Sequence, residues 1–506
     1  MTLPTIPSAA GVALLALAIY KYIIYPAFLS PLAKIPNAHW SASISPLWIL
    51  YHRHQQQDTF VVHACHSRLG PIMRLAPNEL SVNCVDGGIR TIYAGGFEKG
   101  DWYSNVFSNY GVEPMFAMEA HGPHSKRKRM LSNVYAKSSL QNSAALTKIT
   151  DVVIKERLIP RLQKAAKSGE AVELYDVFSA VTMDFVTGYI FGLRNGSNFV
   201  QDYAAGVRLF REFSARQKYT FWPQELPIWV MSMCEQAEKT CKRIEQGEDV
   251  APEDTPTVYT QLRNTLLKDD HNPPASDHRL TLASELLDHT LAGFDTSGIT
   301  LTWLAWQLSK PVHKTWQHRI RHEISTTPLS SPSHHPLDAK TIDNLPTLHA
   351  ILMESLRLHP AIPGNQPRLT PPNTTLAHIR NLPANIRVQA QAYTLHREPS
   401  IFPSPEIWDP NRWLLLLSPT TEKNLHRWFW AFGSGGRMCV GKNLAILDLK
   451  AAMVGVWGKF ETEIVEDRGM VANGGYMGEP LGVGVDGDGE RRRRKFLVVR
   501  VREVDV

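Results

Sequence analysis

Long runs rich in apolar residues recur along the chain, and they predict a mainly α-helical protein. The strongest runs cover residues 144–166, 174–193, 198–216, 229–246, 280–308, 348–358 and 444–460. Each is long enough for an ordinary helix, and turn-forming residues separate several of them. Two shorter runs, 72–75 and 80–82, have the length and side chains typical of β-strands. The pattern therefore indicates a helical fold with a small β-rich part.

The first apolar run lies at the N-terminus and is long enough to cross a membrane. Residues 1–20 carry no charged side chain, and residues 9–25 are apolar apart from Lys21. A bilayer core needs about 20 apolar residues, and Lys21 can extend to the interface. A cleaved signal peptide is the alternative, although no basic segment precedes the run. The charges that follow, Lys21 and Lys34, predict a single-pass anchor with the rest of the chain in the cytosol.

Composition narrows the class of protein. Of 506 residues, 43% are hydrophobic and 20% are charged, which excludes wholesale disorder. The net charge of +6 suits an acidic partner surface or anionic lipid. Basic residues interleaved with aromatic ones are missing from the sequence, so we predict no nucleic-acid partner. The five cysteines show no C-x-x-C spacing, which argues against a disulfide framework or a zinc site and favours a reducing compartment.

One cysteine, Cys439, lies in a glycine-rich loop just before an apolar helix candidate. The loop 432–441 reads Phe-Gly-Ser-Gly-Gly-Arg-Met-Cys-Val-Gly. Free N–H groups at a helix N-terminus favour a thiolate and lower its pKa. The glycines allow a large flat ligand to approach the backbone, and Arg437 offers a cation for a carboxylate. The alternative is a buried, inert cysteine in a glycine turn.

Two other segments carry residues that a plain helix would not select. Gly293, Asp295, Thr296, Ser297 and Gly298 all disfavour a helix, yet they lie within six positions of the run 280–308. Such a conflict is typical of a helix distorted for function.

The second segment is 348–358, where Glu354 and Arg357 stand three positions apart and share a helix face. An exposed pair would contribute little, but the apolar neighbours favour burial. A buried pair needs further partners to offset its desolvation.

Together these segments resemble the motifs of the cytochrome P450 family. Residues 432–441 match its haem-binding signature F-x-x-G-x-R-x-C-x-G, residues 292–296 match its oxygen-binding motif [AG]-G-x-[DE]-T, and residues 354–357 match E-x-x-R. A cysteine thiolate pushes electron density into haem and favours O–O cleavage. The resemblance covers essentially the whole chain. Within the family, the chain looks most like the fungal microsomal enzymes that act in secondary metabolism.

The resemblance implies a cytochrome P450 fold, mainly α with a small β subdomain, over residues 31–506, behind an anchor and hinge at residues 1–30. It implies one haem b, with Cys439 as the axial iron ligand. Thr296 and Asp295 would handle the protons of oxygen activation. The remaining implied site residues are the loop positions Phe432, Gly435 and Gly441 and the structural ion network of Glu354, Arg357 and Arg412.

The residues expected to neutralise the haem propionates are cationic or can become so: Arg437, Arg368, His124 and either Lys128 or Arg129. The alternative for the run 126–129 is a solvated helix face. The resemblance also implies that the aromatic segment 219–223 roofs the substrate pocket. Residues 382–385 depart from the family's Pro-x-Gly turn, which leaves the strand geometry there open. We interpret the basic run 491–495 as a solvated hairpin.

The implied activity is insertion of one oxygen atom from O₂ into an apolar organic substrate. Electrons would come from NADPH through a membrane-bound cytochrome P450 reductase, docked on a basic face that residues 126–129 and Lys442 can furnish. The expected location is the endoplasmic reticulum membrane. Two rival hypotheses stay open: a haem-thiolate isomerase or dehydratase that needs no reductase, and a non-catalytic haem carrier or gas sensor.

Overall fold

The computed structural model describes residues 6–216, 225–268, 275–330, 336–415, 418–485 and 491–504. The segment 219–223, our predicted roof of the pocket, lies outside these ranges. The predicted helical fold is confirmed. The α-helices are α1 (Ile6–Ile19), α2 (Leu47–His54), α3 (Asp58–Leu69), α4 (Trp102–Phe107), α5 (His121–Leu131), α6 (Lys137–Gln141), α7 (Ala144–Asp151), α8 (Ile159–Ser168), α9 (Leu174–Phe191), α10 (Tyr203–Arg216), α11 (Glu225–Glu245), α12 (Thr257–Leu267), α13 (Ala275–Leu308), α14 (Lys314–Ser325), α15 (Ala339–Asp343), α16 (Pro346–Leu358), α17 (Ala392–Leu395), α18 (Pro419–Trp428) and α19 (Lys442–Trp457).

Within the described ranges, the strands form four small sheets. Their orders are β1-β2-β7-β4, β11-β10-β9, β3-β12-β8 and β5-β6. The predicted first strands pair antiparallel, with Ile72 opposite Val82. The strands are β1 (Ile72–Ala76), β2 (Glu79–Val82), β3 (Val172–Glu173), β4 (Arg368–Leu369), β5 (Thr374–Leu376), β6 (Ile379–Leu382), β7 (Arg387–Gln389), β8 (Phe460–Glu466), β9 (Val471–Ala472), β10 (Pro480–Val485), β11 (Arg491–Lys495) and β12 (Val498–Glu503).

Helices α9 and α13 pack along each other at the centre of the protein, and every residue of α9 is buried. A Cβ at Gly293 would lie 2.6 Å from the Val186 side chain, and one at Gly298 would lie 3.1 Å from the Ser179 hydroxyl. The glycines of α13 therefore permit close contact with α9. The distortion that we expected is not present, because α13 continues as α-helix through residues 293–298.

Two local predictions are settled by the backbone. The run 444–460 is not helical throughout, because α19 ends at Trp457 and Phe460 begins β8. At the unusual turn between β6 and β7, Asn385 has a φ of +61°. Asparagine tolerates this left-handed conformation better than most residues, so it serves where the family pattern has glycine.

The N-terminal helix projects from the rest of the protein. Residues Ala10–Leu29 form 20 residues of helix, part of it π-helical, with a mean hydropathy of 1.9 and no buried residue in that window. By length and composition the segment can cross a membrane. Arg74 Nη1 donates to the Pro26 carbonyl oxygen at 2.7 Å, and this contact ties the end of the segment to β1.

Candidate active site

The loop between α18 and α19 is closed by backbone hydrogen bonds that leave its cysteine beside the start of α19. The Cys439 N–H donates to the Phe432 carbonyl oxygen at 3.0 Å, and the Met438 N–H donates to that of Gly435 at 3.1 Å. Gly435 has a φ of +71°, and a Cβ there would lie 2.2 Å from the Tyr93 carbonyl oxygen. Only glycine fits this position, so the loop lies directly against the Tyr93 backbone.

The Cys439 thiol keeps accessible surface although protein surrounds it. The residue is exposed, yet burial raises the pKa of its thiol. A side chain with both properties lies in an internal cleft rather than on the outer surface. The N–H groups of Gly441 and Lys442 and the ammonium groups of Lys128 and Lys442 lower the pKa, but by less. The expected lowering of the pKa is therefore wrong for the thiol alone, because desolvation outweighs the helix N-terminus.

Helix α13 presents an accessible stripe in the middle of a buried element. Ala292 is exposed and Thr296 is partly exposed, whereas Leu291 and Phe294 are at most 3% exposed. Residues four positions apart share a helix face, so this stripe borders a cleft. The Thr296 hydroxyl donates to the Ala292 carbonyl oxygen at 2.7 Å. A hydroxyl used in this way still offers a lone pair as an acceptor.

Tyr135 connects α13 to the beginning of α19. Its hydroxyl lies 2.8 Å from His289 Nδ1, and its carbonyl oxygen accepts from Asn443 Nδ2 at 3.1 Å. The two helices also pack directly against each other. The cysteine loop and the accessible stripe of α13 consequently belong to one region of the protein.

Asp295 directly precedes Thr296 in the sequence, but its carboxylate belongs to a buried ion cluster. Lys495 Nζ lies 2.8 Å from Asp295 Oδ1 and 3.1 Å from Glu479 Oε1. Burial opposes the charge of Lys495, yet Asp295 and its neighbours raise the pKa of Lys495 well above its usual value. Our interpretation of the basic run as a solvated hairpin is therefore wrong for Lys495. The strands β10 and β11 do pair, but this lysine points into the core because two carboxylates balance its charge.

Three cations lie near one another beside the cleft without a carboxylate partner. Among the described residues, Arg437, Arg368 and Lys99 form no ion pair within 4 Å. Burial, reinforced by Arg368, lowers the pKa of Arg437 to about 10. Burial, reinforced by Arg368 and Arg437, lowers the pKa of Lys99 well below its usual value. Buried like charges of this kind are stabilised by a bound anion.

Neutral groups hold the two arginines in place. Arg437 donates from Nη1 to the Met118 carbonyl oxygen at 2.6 Å and from Nη2 to that of Glu119 at 2.5 Å. Arg368 Nη1 donates to the Tyr103 hydroxyl at 2.9 Å. These contacts fix the guanidinium groups without neutralising them.

The sequence offered no indication of Lys99, which is the third cation of this cluster. It follows Glu98 in a segment that matches none of the motifs, and it is 4% exposed. Its ammonium donates to the Phe116 carbonyl oxygen and lies 4.0 Å from the ring centroids of Phe116 and Tyr103. Cation–π contacts therefore replace a carboxylate at this lysine.

The predicted cations of α5 occupy different surroundings. His124 is buried, and burial together with Arg437 and Lys99 lowers its pKa to about 3. Lys128 Nζ donates to the carbonyl oxygens of Gly436 and Met438 at 2.8 Å each, whereas Arg129 is exposed. Of the two alternatives, the structure places Lys128 against the cysteine loop.

The pair Glu354–Arg357 is fully buried and bidentate. Arg357 Nε and Nη2 donate to the two Glu354 carboxylate oxygens at 2.9 and 2.8 Å. Arg412 Nε donates to Glu354 Oε1 at 3.2 Å, so the three predicted members lie together. Trp413 Nε1 and the Asp409 N–H complete the acceptor capacity of the carboxylate at 3.0 and 2.9 Å.

A comparison with protein families matches residues 42–473 to the model described as cytochrome P450. The chain belongs to the cytochrome P450 family. Similar curated proteins include tryprostatin B 6-hydroxylase of Aspergillus fumigatus, 24% identical over 88% of this chain and 77% of that protein. They also include the cytochrome P450 monooxygenases macH of Penicillium terrestre, 26% identical over 88% of this chain and 90% of macH, and avaI of Aspergillus versicolor, 27% identical over 75% of this chain and 92% of avaI. The protein is therefore an oxidoreductase of the P450 monooxygenase type.

The residues of this site fit the haem-thiolate group that the P450 family implies. A Cβ at Gly441 would meet no described atom within 4 Å, so packing within the chain does not require glycine there. The thiol is accessible from a cleft, and a coordinated metal ion deprotonates a thiol even where burial opposes it. The unpaired cations beside it suit the two carboxylates of a haem. The thiol, the free space at Gly441 and the unpaired cations are thus all compatible with a bound haem.

Proposed function

We propose that this P450 is a haem-thiolate monooxygenase in which the Cys439 thiolate would hold the haem iron. The observation that carries the proposal is an accessible thiol in an internal cleft, flanked by unpaired cations and by the accessible stripe of α13. We assign residues 1–30 to the anchor and hinge and residues 31–506 to the catalytic domain.

When bound, the haem-thiolate group activates O₂ so that one oxygen atom enters an organic substrate and the other leaves as water. Arg437, Arg368 and Lys99 would bind the propionates, and neutral His124 would donate one further hydrogen bond. The Thr296 hydroxyl, whose own proton goes to the Ala292 carbonyl oxygen, would accept a hydrogen bond from a water molecule and so hold a proton source in the cleft. Asp295, whose carboxylate is paired with Lys495, would support this segment beside Thr296.

The names of the similar proteins support a role in fungal secondary metabolism. Tryprostatin B 6-hydroxylase is by its name an enzyme that adds a hydroxyl group to an organic metabolite. An apolar organic substrate of comparable complexity suits the aromatic side chains near Lys99, where Trp102, Phe107 and Phe116 contact one another edge to face. Electrons come from NADPH through a membrane-bound P450 reductase.

The ligand assignment is tested with Cys439→Ala. The wild-type protein, reduced under CO, should give the absorption spectrum typical of a thiolate-bound haem, and Cys439→Ala should lose it. Cys234→Ala removes a buried cysteine outside the loop and is the matched control. A thiolate spectrum that survives Cys439→Ala, or that Cys234→Ala abolishes while keeping its fold, would contradict the assignment.

The role of Thr296 is tested by the ratio of product formed to NADPH consumed. Removal of a positioned proton-transfer group typically slows its step by about 10²–10⁴-fold. Thr296→Ala should therefore retain haem but release more reducing equivalents as peroxide. Thr300→Ala, one turn later and buried, is the control. A ratio that is equal in the wild type, Thr296→Ala and Asp295→Ala would make Thr296 an ordinary packed helix residue. Product formed without NADPH would favour the reductase-independent isomerase.

The anchor is tested by topology. Residues 10–29 form a helix that projects from the domain, and the positive charges follow it. The catalytic domain in intact endoplasmic reticulum vesicles should be digested by added protease. Protection of the whole chain, or a mature N-terminus after residue 25, would contradict a cytosolic domain behind an uncleaved anchor.

A further inference from the structure

Helix α13 carries an acidic residue, Asp288, on the same face as the accessible stripe. Positions 288, 292 and 296 are four apart and follow one side of the helix. Ala292 and Thr296, the other two residues of this row, border the cleft. Thr296 lies eight residues beyond Asp288, about 12 Å along the helix axis.

Asp288 is the acid of this segment that other groups leave unpaired. It is 9% exposed, and among the described residues its carboxylate accepts no hydrogen bond and forms no ion pair within 4 Å. One turn earlier, Glu285 accepts from the Met115 N–H at 2.9 Å and from Arg127 Nη1 at 3.0 Å. One turn beyond Ala292, Asp295 pairs with Lys495. Two of these three carboxylates therefore have partners. The third, Asp288, is aligned with Thr296 and has none among the described residues.

The groups near Asp288 do not supply the missing partner. Lys99 is close enough to interact electrostatically, but its ammonium is engaged by the Phe116 carbonyl and two aromatic rings. His289, the neighbour in sequence, bonds to Tyr135 instead. Burial raises the pKa of Asp288 to about 7, which reflects the cost of an unpaired carboxylate in this position. Two tyrosines, Tyr135 and Tyr476, also sense the charge of Asp288, but neither donates a hydrogen bond to it.

We propose that Asp288 binds a positively charged nitrogen of the substrate and thereby selects organic amines among apolar molecules. A buried carboxylate that accepts no hydrogen bond is stabilised most by a bound cation. The spacing along α13 places this nitrogen about two helical turns from the carbon that reacts near Thr296. The proposal rests on the proposed monooxygenase function and names the substrate class of that same site.

The test compares two probes that differ only in charge. The charged probe is 4-phenylbutyltrimethylammonium, which cannot coordinate iron, and the neutral probe is its carbon isostere (5,5-dimethylhexyl)benzene. Equilibrium dialysis against the haem-loaded full chain measures both dissociation constants without relying on turnover. For Asp288→Asn we expect the charged probe to bind at least about 10-fold more weakly and the neutral probe to bind within about threefold of wild type.

Two controls isolate the position of the charge. Asp288→Glu keeps a carboxylate and should retain most of the affinity for the charged probe. Glu248→Gln removes an exposed acid elsewhere and should change neither constant. If Asp288→Asn fails to load haem, Asp288→Ser, which also removes the carboxylate, replaces it in the same comparison of the two probes.

The outcomes separate the two proposals. A wild-type protein without the thiolate CO spectrum would overturn the proposed function, and the substrate proposal with it. A normal spectrum combined with unchanged binding of the charged probe to Asp288→Asn, or an equal loss for both probes, would overturn the role of Asp288 alone. A selective loss for the charged probe, restored by Asp288→Glu, supports it.

Discussion

The ion network at Glu354 and the cation cluster at Arg437 are both buried, and they balance their charges in opposite ways. Glu354 accepts five hydrogen bonds, two of them from Arg357, and each distance is 3.2 Å or less. Arg437 lies near Arg368 and Lys99, and no described carboxylate pairs with any of the three. One cluster is electrostatically complete within the chain, and the other is complete only with an anion.

The same difference between a completed and an incomplete network is found at two buried histidines, one in each cluster. His396 accepts from the Trp430 N–H through Nε2 at 2.7 Å, so its Nδ1–H donates to the Arg357 carbonyl oxygen at 2.8 Å. Burial lowers the pKa of His396 to about 3, but both ring nitrogens have partners. Burial lowers the pKa of His124 equally far, but among the described residues neither of its ring nitrogens forms a hydrogen bond. A completed buried network stabilises the fold, whereas an incomplete one indicates where a ligand binds.

The largest expected effect is at the completed network. Glu354→Gln removes the charge that balances Arg357 in the core, and loss of one partner of a buried ion pair typically costs about 3–5 kcal/mol. Denaturant unfolding should show this loss of stability. The control Glu248→Gln breaks an exposed pair with Arg243 and should change the free energy of unfolding by about 0.5 kcal/mol or less. Equal effects of the two substitutions would show that the network is not a structural unit.

A smaller and opposite effect is expected at the incomplete cluster. Lys99→Met removes a buried cation from beside two others, so the haem-free protein should keep or gain stability. Affinity for haem should fall by about 10-fold, the equivalent of one lost charge-assisted contact. Haem transfer to an acceptor protein measures the affinity. Lys167→Met, an exposed site on α8, is the control. A strongly destabilised haem-free Lys99→Met protein would contradict the comparison.

The smallest effect concerns pH. The unfolded chain protonates His124 near its ordinary pKa of about 6.5, whereas the folded chain does so only near 3. Below pH 6.5 the unfolded state thus binds more protons, and stability falls as pH decreases. Between pH 6.5 and 5.5 the wild type should lose about 1 kcal/mol more than His124→Phe.

Zinc protoporphyrin sharpens this measurement, because it carries the two propionates. Its binding should raise the pKa of His124 and reduce the difference between the wild type and His124→Phe. The contribution of His396, which lies in the completed network, should not change. A pH dependence of His124 that is insensitive to the porphyrin would place the propionates elsewhere.

Local sequence was informative where the interacting residues lie within a few positions of one another. The loop 432–441 closes on itself through the Cys439–Phe432 hydrogen bond, and Glu354 and Arg357 meet within one helical turn. The spacing of such residues is set by the backbone geometry of a turn or helix. The glycines of α13 could also be identified in the sequence, but we predicted that they distort the helix. Their role is close packing against α9, a helix that lies far away in the sequence.

The tertiary structure alone decided which distant charges meet. Lys495 pairs with Asp295, which lies 200 positions away in the sequence. Arg368 donates a hydrogen bond to Tyr103, which lies 265 positions away. Lys99 joined the cation cluster without any motif, and Asp288 differs from Glu285 and Asp295 only in having no partner brought to it. Sequence shows which side chains can carry a charge. Whether that charge is paired, desolvated or left for a ligand depends on how the elements pack, and no local pattern encodes that arrangement.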